Sequence, residues 1–196
     1  MSEMRLYDTD GRRLYLNAEE RAVFLAAAAA APPRTRLFAE TLHYTGCRLS
    51  EALALTPERV DLSEGRIIFN SLKKRREDVY RSVPVPSEYL TRLDLTFGLR
   101  QAQKRQKVKA ERLWTWSRVR GWQIVKGIME GADIADGPHR TPKGLRHAYG
   151  INAIGKGVPL NILQKWLGHA QLTTTAIYAN ASGKEESELA SWMWDQ

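Results

Sequence analysis

The chain has one cysteine, Cys47, which excludes an internal disulfide. Its four histidines give no metal-ligand spacing either; His43, His139 and His147 fall at intervals that build no coordination set. No metal and no cofactor are therefore expected, and a reducing compartment suits the cysteine count. Long apolar runs are also missing. The alanines at 26–31 are far short of the roughly 20 residues a membrane span requires, and no stretch reads as a secretion signal. A soluble, cytoplasmic chain with no membrane partner is the expectation. An acidic excess is absent as well: 30 Lys+Arg against 22 Asp+Glu leave a net charge of +8 and a pI near 9.7. That balance suits a polyanion such as DNA or RNA, although many basic proteins bind neither.

What is present fits one globular domain, since 196 residues at 43% hydrophobic content can bury an ample core. Residues 1–17 are polar and mixed in charge and read as a tail or a first strand. Asn17 with Glu20 three positions on forms a capping box that opens a helix through Ala31, stopped by Pro32-Pro33. A second helix covers 35–44, with Leu37, Phe38, Thr41 and Leu42 inward, and breaks at Gly46. Thr56-Pro57-Glu58 starts a short helical turn. The β-branched and aromatic runs at 66–70 and 79–85 then predict a hairpin whose tip is the charged stretch 71–78. Helices are expected again from Pro86-Ser87-Glu88 through Phe97 and from the Ser117 cap to Gly131. The basic segment 98–112 suits a solvated helix or one that tracks phosphates. Of the six tryptophans, four or more are expected in the core rather than as base-stacking platforms. The fold class is mainly α (α+β), a helical bundle with a small antiparallel hairpin or sheet.

The stretch 141–178 concentrates the chemistry. Thr141-Pro142 is a helix start, a hydroxyl cap followed by a residue that needs no partner for an N–H. Lys143 and Arg146 then share one helix face. A short helix over 159–167 ends at Gly168 and leaves His169 just past a helix end. Thr173 caps a third helix that carries Tyr178. Earlier in the chain, Arg48 and Glu51 are also three apart, so the carboxylate can hold the guanidinium from the side. Each feature has a plainer reading: an Arg–Glu pair tying helices together, a basic tip that is only solvated, a tyrosine among Ala176, Ile177 and Ala179 that is only core. His43 and His147 read most simply as structural or peripheral. Together, however, two cations, an imidazole and a phenol can grip a phosphodiester and attack it.

These residues lie in boxes. T-G-C-R-L-S-E-A-L begins at Thr45, K-G-L-R-H at Lys143 and L-G-H at Leu167, with Tyr178 nine positions after His169. In that order and spacing they resemble the catalytic domain of the tyrosine recombinase (phage integrase) family, over nearly the whole chain from residue 15 to 194. The resemblance implies site-specific DNA recombination: Arg48 and Arg146 on the non-bridging oxygens of the scissile phosphate, His169 adding a hydrogen bond, and Tyr178 forming a 3′-phosphotyrosyl link. It implies that Glu51 supports Arg48, and that a hairpin lysine, Lys73 or alternatively Lys74, protonates the leaving 5′ oxygen. Lys74, Arg75, Arg76, Arg140 and His147 are the implied DNA contacts. One departure is Lys143, which stands where the family most often has histidine; it can contact phosphate, and it can act as base only when neutral. A second is the short stretch before the first box, which has no room for the family's helical core-binding domain. The expectation is a minimal catalytic domain, or one whose grip on DNA a separate protein completes. The implied partners are double-stranded DNA and further copies in a tetramer on it, and the implied location is nucleoid-associated. The expected organisation is a tail at 1–17, the catalytic domain at 18–180 and a C-terminal helix at 181–196 exchanged between protomers. The rival readings are a type IB-like topoisomerase and a DNA-binding accessory protein that has lost cleavage.

Overall fold

The computed structural model describes residues 5–70, 80–180 and 191. The expected hairpin tip with Lys73, Lys74, Arg75 and Arg76, and nearly all of the expected C-terminal helix, lie outside the described residues. The fold is mostly helical with one small antiparallel sheet, as expected.

Helix α1 (Ala18–Ala29) opens on the expected capping box, in which Asn17 Oδ1 accepts from the Glu20 N–H and Glu20 Oε2 accepts from the Asn17 N–H. Helix α2 (Pro33–Thr45) starts two residues earlier than the sequence pattern indicates, because proline at the first position has the φ a helix needs and lacks only a donor that would be unpaired there. It ends at Gly46, whose φ of +58° takes the chain into the left-handed region and whose N–H donates to the Leu42 carbonyl. Thr41 faces inward as expected, its hydroxyl 2.7 Å from the Tyr89 hydroxyl. Helix α3 (Leu49–Leu53) follows directly.

Strands β1 (Val60–Asp61), β2 (Arg66–Asn70) and β3 (Tyr80–Pro84) form the sheet in the order β1-β2-β3. The predicted hairpin thus gains a short third strand. Ile67 pairs with Val83 and Phe69 with Arg81, and all four are buried, so one face of the hairpin looks into the protein. Helix α4 (Ser87–Phe97) ends at the left-handed Gly98. The basic segment after it does not form one solvated helix: a short helix α5 (Leu99–Ala102) gives way to turns, with Gln103 Nε2 donating to the carbonyls of Pro57 and Val60.

Helix α6 (Arg118–Gly131) is capped by Ser117, and α7 (Pro142–Gly155) by Thr141, each hydroxyl accepting a backbone N–H three residues on. Helix α8 (Leu160–Leu167) stops at left-handed Gly168. The expected third helix is reduced to α9 (Thr173–Ala176) and a 3-10 turn (Ile177–Asn180). Thr173 is not its cap: it is already the first helical residue, and the cap position falls to Leu172, which has no side-chain acceptor to offer.

The main core centres on α2, with Phe38 edge-on to both Trp114 and Trp116. Trp166 also packs inward, whereas Trp122 is exposed, and Trp192 and Trp194 lie outside the described residues. A second apolar cluster joins Tyr149, Ile151, Leu163, Leu167 and Tyr178 to Leu6 and Tyr15. Leu6, Tyr15 and Leu16 thus anchor the segment 5–17 to the protein: Tyr7 and Arg13 bridge as antiparallel partners, and the Leu16 N–H donates to the Gly144 carbonyl on α7. Among the described residues no helix is long and apolar enough to cross a membrane.

Candidate active site

Arg48 sits at the N-cap of α3, where its backbone N–H donates to Glu51 Oε2 at 2.7 Å and its Nη1 to Glu51 Oε1 at 2.9 Å. Glu51 is buried, and a buried carboxylate needs compensating donors. Arg48 supplies two. Arg81 on β3 supplies two more, Nη2 to Oε2 at 2.6 Å and Nη1 to Oε1 at 3.1 Å, while its Nε donates to the Trp166 carbonyl at 2.7 Å. Burial would raise the Glu51 carboxyl, but the Arg81 hydrogen bonds and charge, the Arg48 N–H and Arg146 override it and hold it below the usual carboxylate range.

Arg146 reaches the same place from α7. Nη1 donates to the Gly46 carbonyl at 2.7 Å, and Nη2 donates to the Leu167 carbonyl at 2.8 Å and lies 3.1 Å from His169 Nε2. One guanidinium thus bonds the start of the first box and the start of L-G-H. It is buried, and burial followed by the charge of Arg48 brings it down to about 10, against the opposing pull of Tyr178 and Glu51. It stays cationic at neutral pH.

His169 Nδ1 lies 2.9 Å from Thr175 Oγ1. Because an arginine can only donate, Nε2 accepts from Arg146 and the proton belongs on Nδ1, where it donates to Thr175. Burial, then Arg146 and Arg48, lower the imidazole to about 3, so it is neutral. Tyr178 stacks on this ring at 6.4 Å between centroids and is itself only 1% exposed. Its hydroxyl meets His147 Nδ1 at 3.2 Å, and its ring lies so close to Gly150 that a Cβ there would come within 2.7 Å. Burial pushes the phenol up to about 12, with Arg146 and Arg48 only partly offsetting it.

The structure therefore brings Arg48, Glu51, Arg146, His169 and Tyr178 together. Lys143 lies exposed in the first turn of α7, close enough to help depress His147. Two expected DNA contacts are otherwise engaged. His147 has no exposed surface and packs against Tyr178, because it lies on the inward face of α7. Arg140 spends Nη1 on the Ile134 carbonyl and Nη2 on Asp136, which braces its own loop. Sequence reasoning missed Arg81, Thr175 and the His147–Tyr178 contact. Arg81 was signalled by the period of β3, which puts it in phase with buried Val83 and so requires a carboxylate inside. Thr175 and His147 gave no comparable signal.

Comparison with known proteins gives the family of the chain and relatives of its fold. Residues 12–185 match the phage integrase family. The chain is 28% identical over 164 residues to tyrosine recombinase XerA of Pyrococcus furiosus, covering 79% of this chain and 53% of XerA. It is 33% identical over 155 residues to tyrosine recombinase XerD of Neisseria meningitidis serogroup B, covering 76% and 51% respectively. It spans about half the length of these curated relatives. The structure of XerH site-specific recombinase in its post-cleavage complex with a palindromic difH substrate superposes with a TM-score of 0.75 at 25% identity, over 96% of this chain and 56% of XerH. The order of the boxes, the mainly helical fold and the matched length converge on one conclusion: this chain belongs to the phage integrase family, the tyrosine recombinases.

Proposed function

We propose that the chain is the catalytic part of a site-specific DNA recombinase that cuts and rejoins strands through Tyr178. The observation that carries this reading is the convergence of Arg48, Arg146, His169 and Tyr178 from four separate elements, with the Arg146 guanidinium bonded into both boxes. A phosphodiester resists attack because its charge repels nucleophiles and its leaving alkoxide is poor. Arg48 and Arg146 neutralise the charge that builds on the non-bridging oxygens, and His169 adds a hydrogen bond from Nε2 once its ring proton moves there, with the Thr175 hydroxyl turning to donate to Nδ1. Tyr178 Oη bonds to phosphorus, the bond to the 5′ oxygen breaks, and that oxygen takes a proton from Lys73 or Lys74. The phenolic proton leaves to Lys143 where that amine is neutral, which makes it a cation, or to solvent, in which case Lys143 is already the cation beside the phosphate. The phosphotyrosyl link conserves bond energy, so a second 5′ hydroxyl reverses the step on a new strand.

In the present arrangement the phenol is buried and protonated, so attack requires the 3-10 turn after α9, which carries Tyr178, to move it outward. The 27% exposed Arg48 side chain is the point at which a phosphate can first meet the cluster. Double-stranded DNA is the proposed partner and a tetramer on DNA the proposed assembly, with 181–196 docking between copies; membership of the family supports both. A nicked duplex that loses its short 5′ fragment on cleavage tests the reading. Wild type should accumulate a covalent protein–DNA adduct on a cognate site, and Tyr178→Phe should form none while still binding the duplex. Adduct formation by Tyr178→Phe, or none by wild type across a randomised duplex pool, would refute it.

A further inference from the structure

We propose that Arg81 is a positioning residue for strand cleavage, a buried strut that fixes the Arg48 guanidinium through Glu51 and the His169 turn through the Trp166 carbonyl. This rests on the cleavage reading above, and it concerns a residue outside the sequence boxes.

All three donor nitrogens of Arg81 that face the protein are used. The fork spans both oxygens of Glu51, and Nε reaches the Trp166 carbonyl, two residues before Gly168. The side chain is 5% exposed, and its Cζ lies 5.0 Å from the centre of the Phe69 ring on the paired strand. The turn into His169 rests on its stem, since a Cβ at Gly168 would come within 3.0 Å of Arg81 Cδ. Glu51 Oε1 is thus shared: Arg81 Nη1 approaches from one side at 3.1 Å and Arg48 Nη1 from the other at 2.9 Å. A lysine could neutralise Glu51 but could not span both oxygens and reach the carbonyl as well, because it lacks the planar fork. Without the strut, the carboxylate that orients Arg48 has lost its principal partner, and β3 has lost its bond to the end of α8. Arg48 and His169 then depart from a common geometry, and misplacement of about 1 Å is costly to chemistry.

A bystander that merely stabilises the fold would not alter a pH profile. Glu51 is faced by Arg48 on α3, Arg81 on β3, Arg146 on α7 and the Cys47 thiol. Removing Arg81 takes away the strongest influence holding its carboxyl down, so ionisation needs a higher pH. Cleavage that depends on an ionised Glu51 should then be lost at a higher pH as the medium is acidified.

The test compares wild type, Arg81→Met and Arg81→Lys in single-turnover trapping on the nicked duplex, with duplex affinity, folded fraction and crystal structures measured in parallel. Arg81→Met should bind duplex as wild type does, form adduct about 100-fold more slowly, and show the acid limb moved upward; Arg81→Lys should recover part of the rate. Wild-type rate and pH profile in folded Arg81→Met would overturn the proposal, as would a rate loss fully accounted for by a smaller folded fraction. If Arg81→Met does not fold, Arg81→Lys decides by the same criteria. If wild type traps no adduct, the cleavage reading fails separately, and the structures still decide: Arg48 displaced from Glu51 in the variant supports the strut, and Arg48 unmoved overturns it.

Discussion

The two sides of the site are built differently. The cation side, comprising Arg48, Glu51, Arg81, Arg146 and His169, is locked by bonds between residues far apart in the chain, such as Arg146 to the Gly46 carbonyl across 100 positions and Arg81 to the Trp166 carbonyl across 85. The nucleophile side rests on a four-residue helix and a 3-10 turn, with one hydroxyl contact to His147 and ring contacts to His147 and His169. Groups that stabilise charge must be in place before the reaction to be effective. A nucleophile can be stored and delivered. The molecule accordingly spends its charged hydrogen bonds on the cradle and holds Tyr178 by ring packing and one neutral hydroxyl contact.

The strongest challenge to that contrast is Arg146→Met. It should slow adduct formation by about 10²- to 10³-fold, the usual cost of removing a donor aimed at developing charge. It should also lower the melting temperature, because the Gly46 and Leu167 carbonyls lose their partner, at about 1–3 kcal/mol for each group left unsatisfied. Loss of rate with unchanged melting would mean that Arg146 does not tie the two boxes together.

Gly150→Ala tests storage. Its Cβ would meet the Tyr178 ring at 2.7 Å, so the ring must shift outward. The phenol should then ionise below the buried value of about 12, toward an ordinary tyrosine at about 10. Carbon-13 NMR of the labelled tyrosine ring, followed against pH, reads this directly, and an unmoved titration would show that the nucleophile side is as rigid as the cradle.

Acidification probes both sides together. His43, His147 and His169 are held neutral to about 3, chiefly by burial. Once unfolded they take up protons near their ordinary value of about 6.5. Each folded value is depressed, so their stabilisation is complete above about pH 6.5 and declines as pH falls below it. Melting temperature measured from pH 7.5 to pH 5 should fall steadily, and a flat profile would contradict the burial of these rings.

The smallest effect is expected for His147→Phe, which removes the acceptor of the phenol and keeps a ring. It should cost about 1 kcal/mol of stability and leave adduct formation at or above the wild-type rate. A collapse in cleavage would instead give His147 a part in the chemistry and erase the distinction between storage and delivery.

The cradle was legible in the sequence where its residues sit in contiguous boxes with capping signals around them, as with Arg48 and Glu51, Thr141 and Arg146, Gly168 and His169. Arg81 was legible only as an inward position in phase with Val83; its role was not, because the carboxylate it serves is 30 positions away on another element. The capping box of α1 and the stop at Gly46 are local events and could be read; the splitting of the last helix could not, since Leu172 rather than a hydroxyl occupies its cap. His147 and Arg140 looked available to DNA because sequence reports charge and not which face of α7 or its loop is covered.

Gly46 shows how little freedom the first box retains. Its positive φ ends α2, its carbonyl receives Arg146, and the space where a side chain would begin is taken by the Tyr149 ring, 2.4 Å from where a Cβ would stand. Three independent requirements, on chain direction, on hydrogen bonding and on volume, coincide at one atom-poor residue. A mutational scan should find glycine irreplaceable there, and an inherited change elsewhere in the box can be tolerated only if this corner stays as it is.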